Sequence, residues 1–112
     1  MTYIEARLIV PAEPHPGSAL HPEAYRGHLQ MLERSLVRRF GGFTVTEGRG
    51  AWNNAANLTL EEPVRVYLFA FNGGVPSRTA AMLLEVRDEV KHLLRQRAVY
   101  LSHIVIEREP VE

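Results

Sequence analysis

The stretch 64-VRVYLFAF-71 decides how the chain is to be read, because it has strand chemistry but oily side chains on both faces. Alternation puts Val64, Val66, Leu68 and Ala70 on one side and Tyr67, Phe69 and Phe71 on the other. A strand covered on one side only should alternate apolar with polar residues. This one needs two covers, and the rest of the sequence has to supply them or borrow one.

Working upstream, "LTLE" and "EP" lead into the stretch as a returning strand interrupted near Pro63. Before it, "FTVTEGRGAW" reads as a strand with Gly48 and Gly50 marking a bulge or bend, and "NNAAN" at 53–57 reads as the turn. Upstream again, Tyr25, Leu29, Leu32, Leu36 and Phe40 form one apolar stripe of a helix over 22–40. Pro22 suits its first turn, and Gly41-Gly42 ends it; Arg26, Gln30, Arg34 and Arg38 make its solvated face. "PAEPHPGSALHP", with four prolines and a glycine in twelve residues, is a loop. Residues 3–10, "YIEARLIV", alternate as a first strand.

Downstream, "NGGVPS" closes the quoted strand. A second helix follows from Ser77 or Arg78 to Gln96, with Ser77 as N-cap and Leu83, Val86, Val90 and Leu94 inside. "AVYLSHIVIE" at 98–107 is a last strand that is again apolar on both sides. The order β-α-β-β-α-β is the split βαβ arrangement. It predicts an α+β fold, a ferredoxin-like two-layer sandwich with a four-stranded antiparallel sheet and two helices on one face, as a single domain over 1–112.

That topology leaves one sheet face open. Three large aromatics bury ~150–250 Å² each, so an open face built on Tyr67, Phe69 and Phe71 would expose roughly 450–750 Å², more than a monomer normally shows. A second copy of the sheet is the simplest cover, and it makes these three the dimer-face candidates. If the aromatics face the helices instead, Val64, Val66 and Leu68 form a smaller open patch. The competing occupant is single-stranded RNA. Arg65, Tyr67 and Phe69 occupy basic and aromatic positions of an RNA-recognition strand motif, and Tyr3 would be the first-strand aromatic. Val66, Leu68 and Asn72 depart from that motif.

Composition narrows the classes. Formal charge is zero and the hydrophobic fraction is 46%, so no bulk field draws the protein to nucleic acid or an anionic membrane. Of the thirteen basic residues only Lys91 is lysine. Absence of cysteine removes disulfides, thiolate chemistry and Cys-ligated metals. No apolar run reaches the eighteen or so residues of a membrane span, and "MTYIEARLIV" does not read as a signal peptide, so a cytoplasmic address is expected.

The segment "RRFGGFTVTEGRGAW", with Phe40, Gly41, Gly42, Thr44, Gly48, Gly50 and Trp52, then Glu61 and Glu62 before the quoted strand, resembles a group of small bacterial and phage proteins of uncharacterised activity. The resemblance covers residues 25–70 and implies a ferredoxin-like domain without an activity.

For chemistry, Arg49, Trp52, Asn53 and His103 are the ligand-binding candidates: Arg for an anion, Trp to cover an apolar ligand. The plain alternative for Trp52 is a cross-strand pair with Leu58 or Leu60, and for His103 a satisfied buried or dimer-facing histidine. His15, His21 and His28 are spaced by six and seven residues, which is no metal-ligand pattern, and His92 falls on the flank of the second helix; neither metal nor cofactor is expected. Glu61 and Glu62 are adjacent in a strand and cannot form a dyad, while "NGGVPS" has the glycine amides and helix start that suit an anion. Together these features point to a homodimeric binding or regulatory module recognising a protein partner or small ligand. The alternatives are a small cofactor-free enzyme of the dimeric α/β-barrel type and an RNA binder.

Overall fold

The computed structural model describes residues 3–53, 59–96 and 99–106. The elements are β1 (Tyr3–Pro11), α1 (Pro22–Phe40), β2 (Thr44–Asn53), β3 (Thr59–Asn72), α2 (Pro76–Leu94) and β4 (Tyr100–Ile106). All pairings are antiparallel and the sheet order is β2-β3-β1-β4, so β1 and β3 lie at its centre. The ferredoxin-like sandwich expected from the sequence is the fold of this chain.

Register settles which side of β3 faces the helices. Ile4, Ala6 and Leu8 of β1 pair with Phe71, Phe69 and Tyr67, and all six are buried. They pack against Tyr25, Leu29, Leu32 and Leu36 of α1 and Leu83, Val86, Val90 and Leu94 of α2, one contiguous core. Phe40 closes that core from the end of α1. Its ring stacks on Phe69 at 4.6 Å and leans on Phe71 at 4.9 Å, while Phe43 meets Tyr67 edge-on at 5.5 Å. Tyr67, Phe69 and Phe71 are therefore core residues of one subunit, and their assignment to a dimer face is corrected. The physical reason is size: two helices and a sheet leave a gap that the aromatics fill and the smaller Val66, Leu68 and Ala70 would not.

Polar ties pin the layers. Tyr67 Oη donates to Glu33 Oε2 at 2.7 Å and Arg65 Nη1 donates to the same oxygen at 3.0 Å, fastening β3 to α1. Tyr25 Oη donates to the Pro11 carbonyl at 2.6 Å. Arg39 reaches Glu85 at 3.0 Å and Glu89 at 3.3 Å, bridging the two helices.

Helix ends follow local chemistry. Gly41 takes φ 86° and returns its N–H to the Val37 carbonyl, ending α1 where the glycine pair predicted. α2 begins earlier than expected, with Pro76 in its first turn and Val75 as an N-cap lacking a side-chain bond, so Ser77 is not the cap. The Val75 carbonyl accepts the Arg78 and Thr79 N–H groups at 3.1 and 3.2 Å, and the Thr79 hydroxyl ties the preceding loop to the helix by donating to the Gly73 carbonyl at 3.0 Å. β3 runs unbroken through Pro63, opposite Arg49, rather than being interrupted there. The β1 ladder ends at Pro11 opposite Val64, and beyond it the Pro63 carbonyl still accepts the Ala12 N–H at 2.9 Å, so the missing N–H of Pro63 falls at the end of that ladder, where it is tolerated.

Candidate functional site

Two features remain after the core is accounted for: the open face of the sheet and a cleft at its end. The open face carries the residues alternate to the core set. Tyr3, Glu5, Arg7 and Ile9 come from β1, Val66, Leu68 and Ala70 from β3, and Tyr100, Ser102, Ile104 and Ile106 from β4. Trp52 and Leu60, paired across β2 and β3, continue it. Exposure is high for large apolar groups: 47% for Trp52, 54% for Leu60, 58% for Tyr100 and 60% for Ile104. In the middle of this surface stand two opposite charges, Glu5 and Arg7, two residues apart on the same side of β1. Among the described residues neither has an ion-pair or hydrogen-bond partner.

The cleft opens where the β1–α1 loop, the middle of β3 and the start of β4 meet, and encloses about 760 Å³. Its walls include Ile9, Val64, Trp52 and Tyr100, with Glu62, His15 and Arg95 as the ionisable groups. His15 holds the loop in place. Its Nδ1 lies 3.3 Å from Glu62 Oε2 and its Nε2 3.2 Å from Gln96 Oε1, so one imidazole spans β3 and the end of α2. Val64 is buried at the cleft floor, outside the core cluster. Trp52 owes its position to Gly50: the indole lies flat over that glycine, in space that a Cβ there would fill. The register partner of Trp52 is Leu60, as the plain alternative had it; Leu58 and the turn 54–57 lie outside the described residues.

The ligand candidates are not one site. Trp52 lines the cleft, whereas Arg49 and Asn53 alternate to the opposite face of β2. His103 belongs to β4 at the other edge of the sheet, opposite Ala6, and is exposed rather than buried. Arg65, Tyr67 and Phe69 face the helices, so they cannot stack bases, and the RNA interface built on them with Tyr3 is likewise corrected. Glu61 and Glu62 point apart as expected, and Glu62 finds His15 instead. Of the remaining histidines, His21 Nδ1 accepts from the Glu23 N–H at 3.4 Å and His28 Nδ1–H donates to the Leu93 carbonyl at 2.5 Å. The glycine loop before α2 is a connector: Asn72 Oδ1 accepts the Gly74 N–H at 3.2 Å, and Gly73 is packed against Ile4 and Thr79.

Sequence reasoning missed the His15–Glu62 contact and Arg95. Forty-seven positions separate the first pair in the chain (62 less 15), and no local pattern announces it. Arg95 is the one described non-glycine residue with positive φ, at 55°, where it ends α2 in the left-handed conformation. A "LLRQR" segment gives no sign of this, since glycine or asparagine is the usual occupant. Among the described residues no helix is long and apolar enough to cross a membrane.

No protein-family model and no curated protein sequence matches the chain. Solved structures do. A phage S-adenosylmethionine lyase in complex with S-methyl-5'-thioadenosine superposes with a TM-score of 0.63 at 12% identity, covering 98% of this chain and 93% of that one. The periplasmic divalent cation tolerance protein CutA from Archaeoglobus fulgidus gives 0.59 at 14% identity, covering 96% and 87%. The Bacillus subtilis GlnK–ATP complex gives 0.58 at 8% identity, covering 94% and 82%. At these identities the likeness establishes that the chain shares the ferredoxin-like fold of these proteins.

Proposed function

We propose that this protein is a homodimeric binding module: two copies close over each other's open sheet faces, and the cleft at the end of that face receives a small ligand. The observation that carries it is the open face itself. Trp52 and Tyr100, each about half exposed, leave on the order of 100 Å² apiece of aromatic surface in water. Leu60 and Ile104 and the half-buried Ile9, Val66, Leu68 and Ile106 extend that surface toward the roughly 800 Å² per partner of a stable interface.

A second copy is favoured over an unrelated protein by charge. Glu5 and Arg7 sit side by side, unpaired among the described residues, in the middle of an apolar surface. A two-fold axis between them brings each Glu5 against the partner copy's arginine, which satisfies both charges with one self-complementary patch. Zero net charge leaves no long-range repulsion to oppose this association. For the ligand, two of the compared proteins are recorded with adenosine compounds, S-methyl-5'-thioadenosine and ATP, so a nucleoside-type ligand is the first class to try.

Light scattering at micromolar concentration tests the assembly: twice 12.7 kDa is expected for the natural chain. Glu5→Arg and Arg7→Glu should each give 12.7 kDa, because like charges then meet across the axis, and the double exchange should restore the larger mass. A natural chain that stays at 12.7 kDa, or single variants that still dimerise, would defeat the proposal.

A further inference from the structure

The cleft has more specific chemistry than a general small-molecule site. At about 760 Å³ it falls within the ~300–1,000 Å³ of small-molecule pockets. Its two aromatic walls stand on opposite edge strands, Trp52 on β2 and Tyr100 on β4. Three strand spacings, roughly 14 Å, separate them across the sheet, and the register sets them apart along it as well, Trp52 level with Leu60 and Tyr100 level with Ile9 and Val66, so one ring cannot touch both. An occupant that fills the cleft from the Trp52 side toward the end of α2 meets different groups along its length. At the β3 end, Glu62 offers a carboxylate whose Oε2 is engaged by His15, while Oε1 makes no hydrogen bond or ion pair among the described residues. At the α2 end stands Arg95, whose guanidinium makes no hydrogen bond or ion pair among the described residues.

Arg95 is also where the backbone departs from its preference. A left-handed residue closing a helix is ordinarily glycine, and any side chain there is held at a cost that packing elsewhere must offset. Within this chain the position carries a long cation on the wall of the cleft. An unpaired guanidinium recognises an oxyanion, bidentately when the anion is a phosphate. An aromatic wall with an acceptor beside it recognises a flat ring bearing N–H or hydroxyl donors.

We infer that the cleft is a nucleotide site, in which Trp52 stacks the base, Glu62 Oε1 accepts from the base or sugar, and Arg95 binds the phosphate. This assignment rests on the ligand half of the proposed function and gives that ligand its chemical class. Trp52 is the chain's sole tryptophan, so its emission reports occupancy directly.

The test titrates the full chain, at fixed concentration, with adenosine monophosphate, adenosine and inorganic phosphate while following that emission. The monophosphate should quench it saturably, adenosine should bind at least tenfold more weakly, and phosphate alone should leave it unchanged. Arg95→Gly should weaken the monophosphate tenfold or more and leave adenosine as it was. Its thermal midpoint should be unchanged or higher, since glycine relaxes the left-handed residue, and so loss of binding cannot be ascribed to misfolding. Equal affinity for adenosine and its monophosphate, an Arg95→Gly variant that binds like the natural chain, or no response at millimolar monophosphate would each overturn the inference. Light scattering on the same samples separates the two claims: lost binding at twice 12.7 kDa removes the nucleotide site alone, and binding by a monomer removes the assembly alone.

Discussion

Leu68 and Phe69 are neighbours in the chain and face opposite ways, and the contrast between their surroundings sums up the molecule. Phe69 is stacked against Phe40 and paired beside Ala6, with every apolar neighbour supplied by the same chain. Leu68 is half-buried on a surface shared with the exposed Arg7 and Thr44 and the half-buried Ser102. One face is finished by the helices. The other mixes half-buried and exposed apolar groups with Glu5, Arg7, Ser102 and Thr44, and is more apolar than a fully solvated face, which is what the proposed second copy would cover.

The largest test of this contrast is substitution on the two sides. Phe69→Ala should lower the unfolding free energy by about 3–5 kcal/mol, read from the shift in urea midpoint, because it opens a cavity among Phe40, Phe71 and Tyr67. Leu68→Ser should cost the subunit about 1 kcal/mol or less, while lowering the mass seen in solution. If the two variants are equally destabilising in the isolated subunit, the faces do not differ as described.

A middle-sized effect comes from pH. Burial pushes the phenols of Tyr25 and Tyr67 above the ordinary tyrosine range; Glu62 adds to the effect at Tyr25. At Tyr67 the Arg65 hydrogen bond opposes it and Glu33 adds to it. Because the folded values are raised, their contribution is complete below the unfolded value of about 10 and is lost as pH rises beyond it toward the folded values. Stability should be flat from neutral pH to about 9 and decline above about 10, and Tyr25→Phe should make that decline shallower. Urea titrations across this range check it.

The smallest effect belongs to Gly50. Gly50→Ala places a methyl where the Trp52 indole lies, so the ring must swing away from the sheet. Unfolding free energy should change by less than about 1 kcal/mol, but Trp52 emission should move to longer wavelength as the ring enters water. An unchanged spectrum would mean that the indole is not held over Gly50.

Much of the architecture could be read from the residues because local signals agreed. Pro22 and Gly41 marked the two ends of α1, the Tyr25–Phe40 stripe its buried side, and strict alternation marked β1. The facing of β3 could not be read, since a strand apolar on both sides has no parity signal. It is set by partners far along the chain, Phe40 by stacking and Glu33 by its bonds to Arg65 and Tyr67. The cleft was legible only in Trp52. His15, Glu62 and Arg95 meet through loop geometry and a helix end, neither of which leaves a periodic trace. Ser77 has the hydroxyl of a cap, but the helix starts at Pro76 and places the cap two residues earlier, at Val75.

β2 is exposed along its length on both sides, Gly50 alone being half-buried, so half of the β2–β3 hairpin has little besides its own ladder to keep it shut. Such a ribbon should open more readily than the centre of the sheet, and its amides should trade protons for deuterons long before those of β1 do. Within an assembled pair the same ribbon would be clamped. If the proposed pair forms, isotope uptake between Thr46 and Trp52 should fall as the protein concentration rises, and so gauge how much of the protein is partnered.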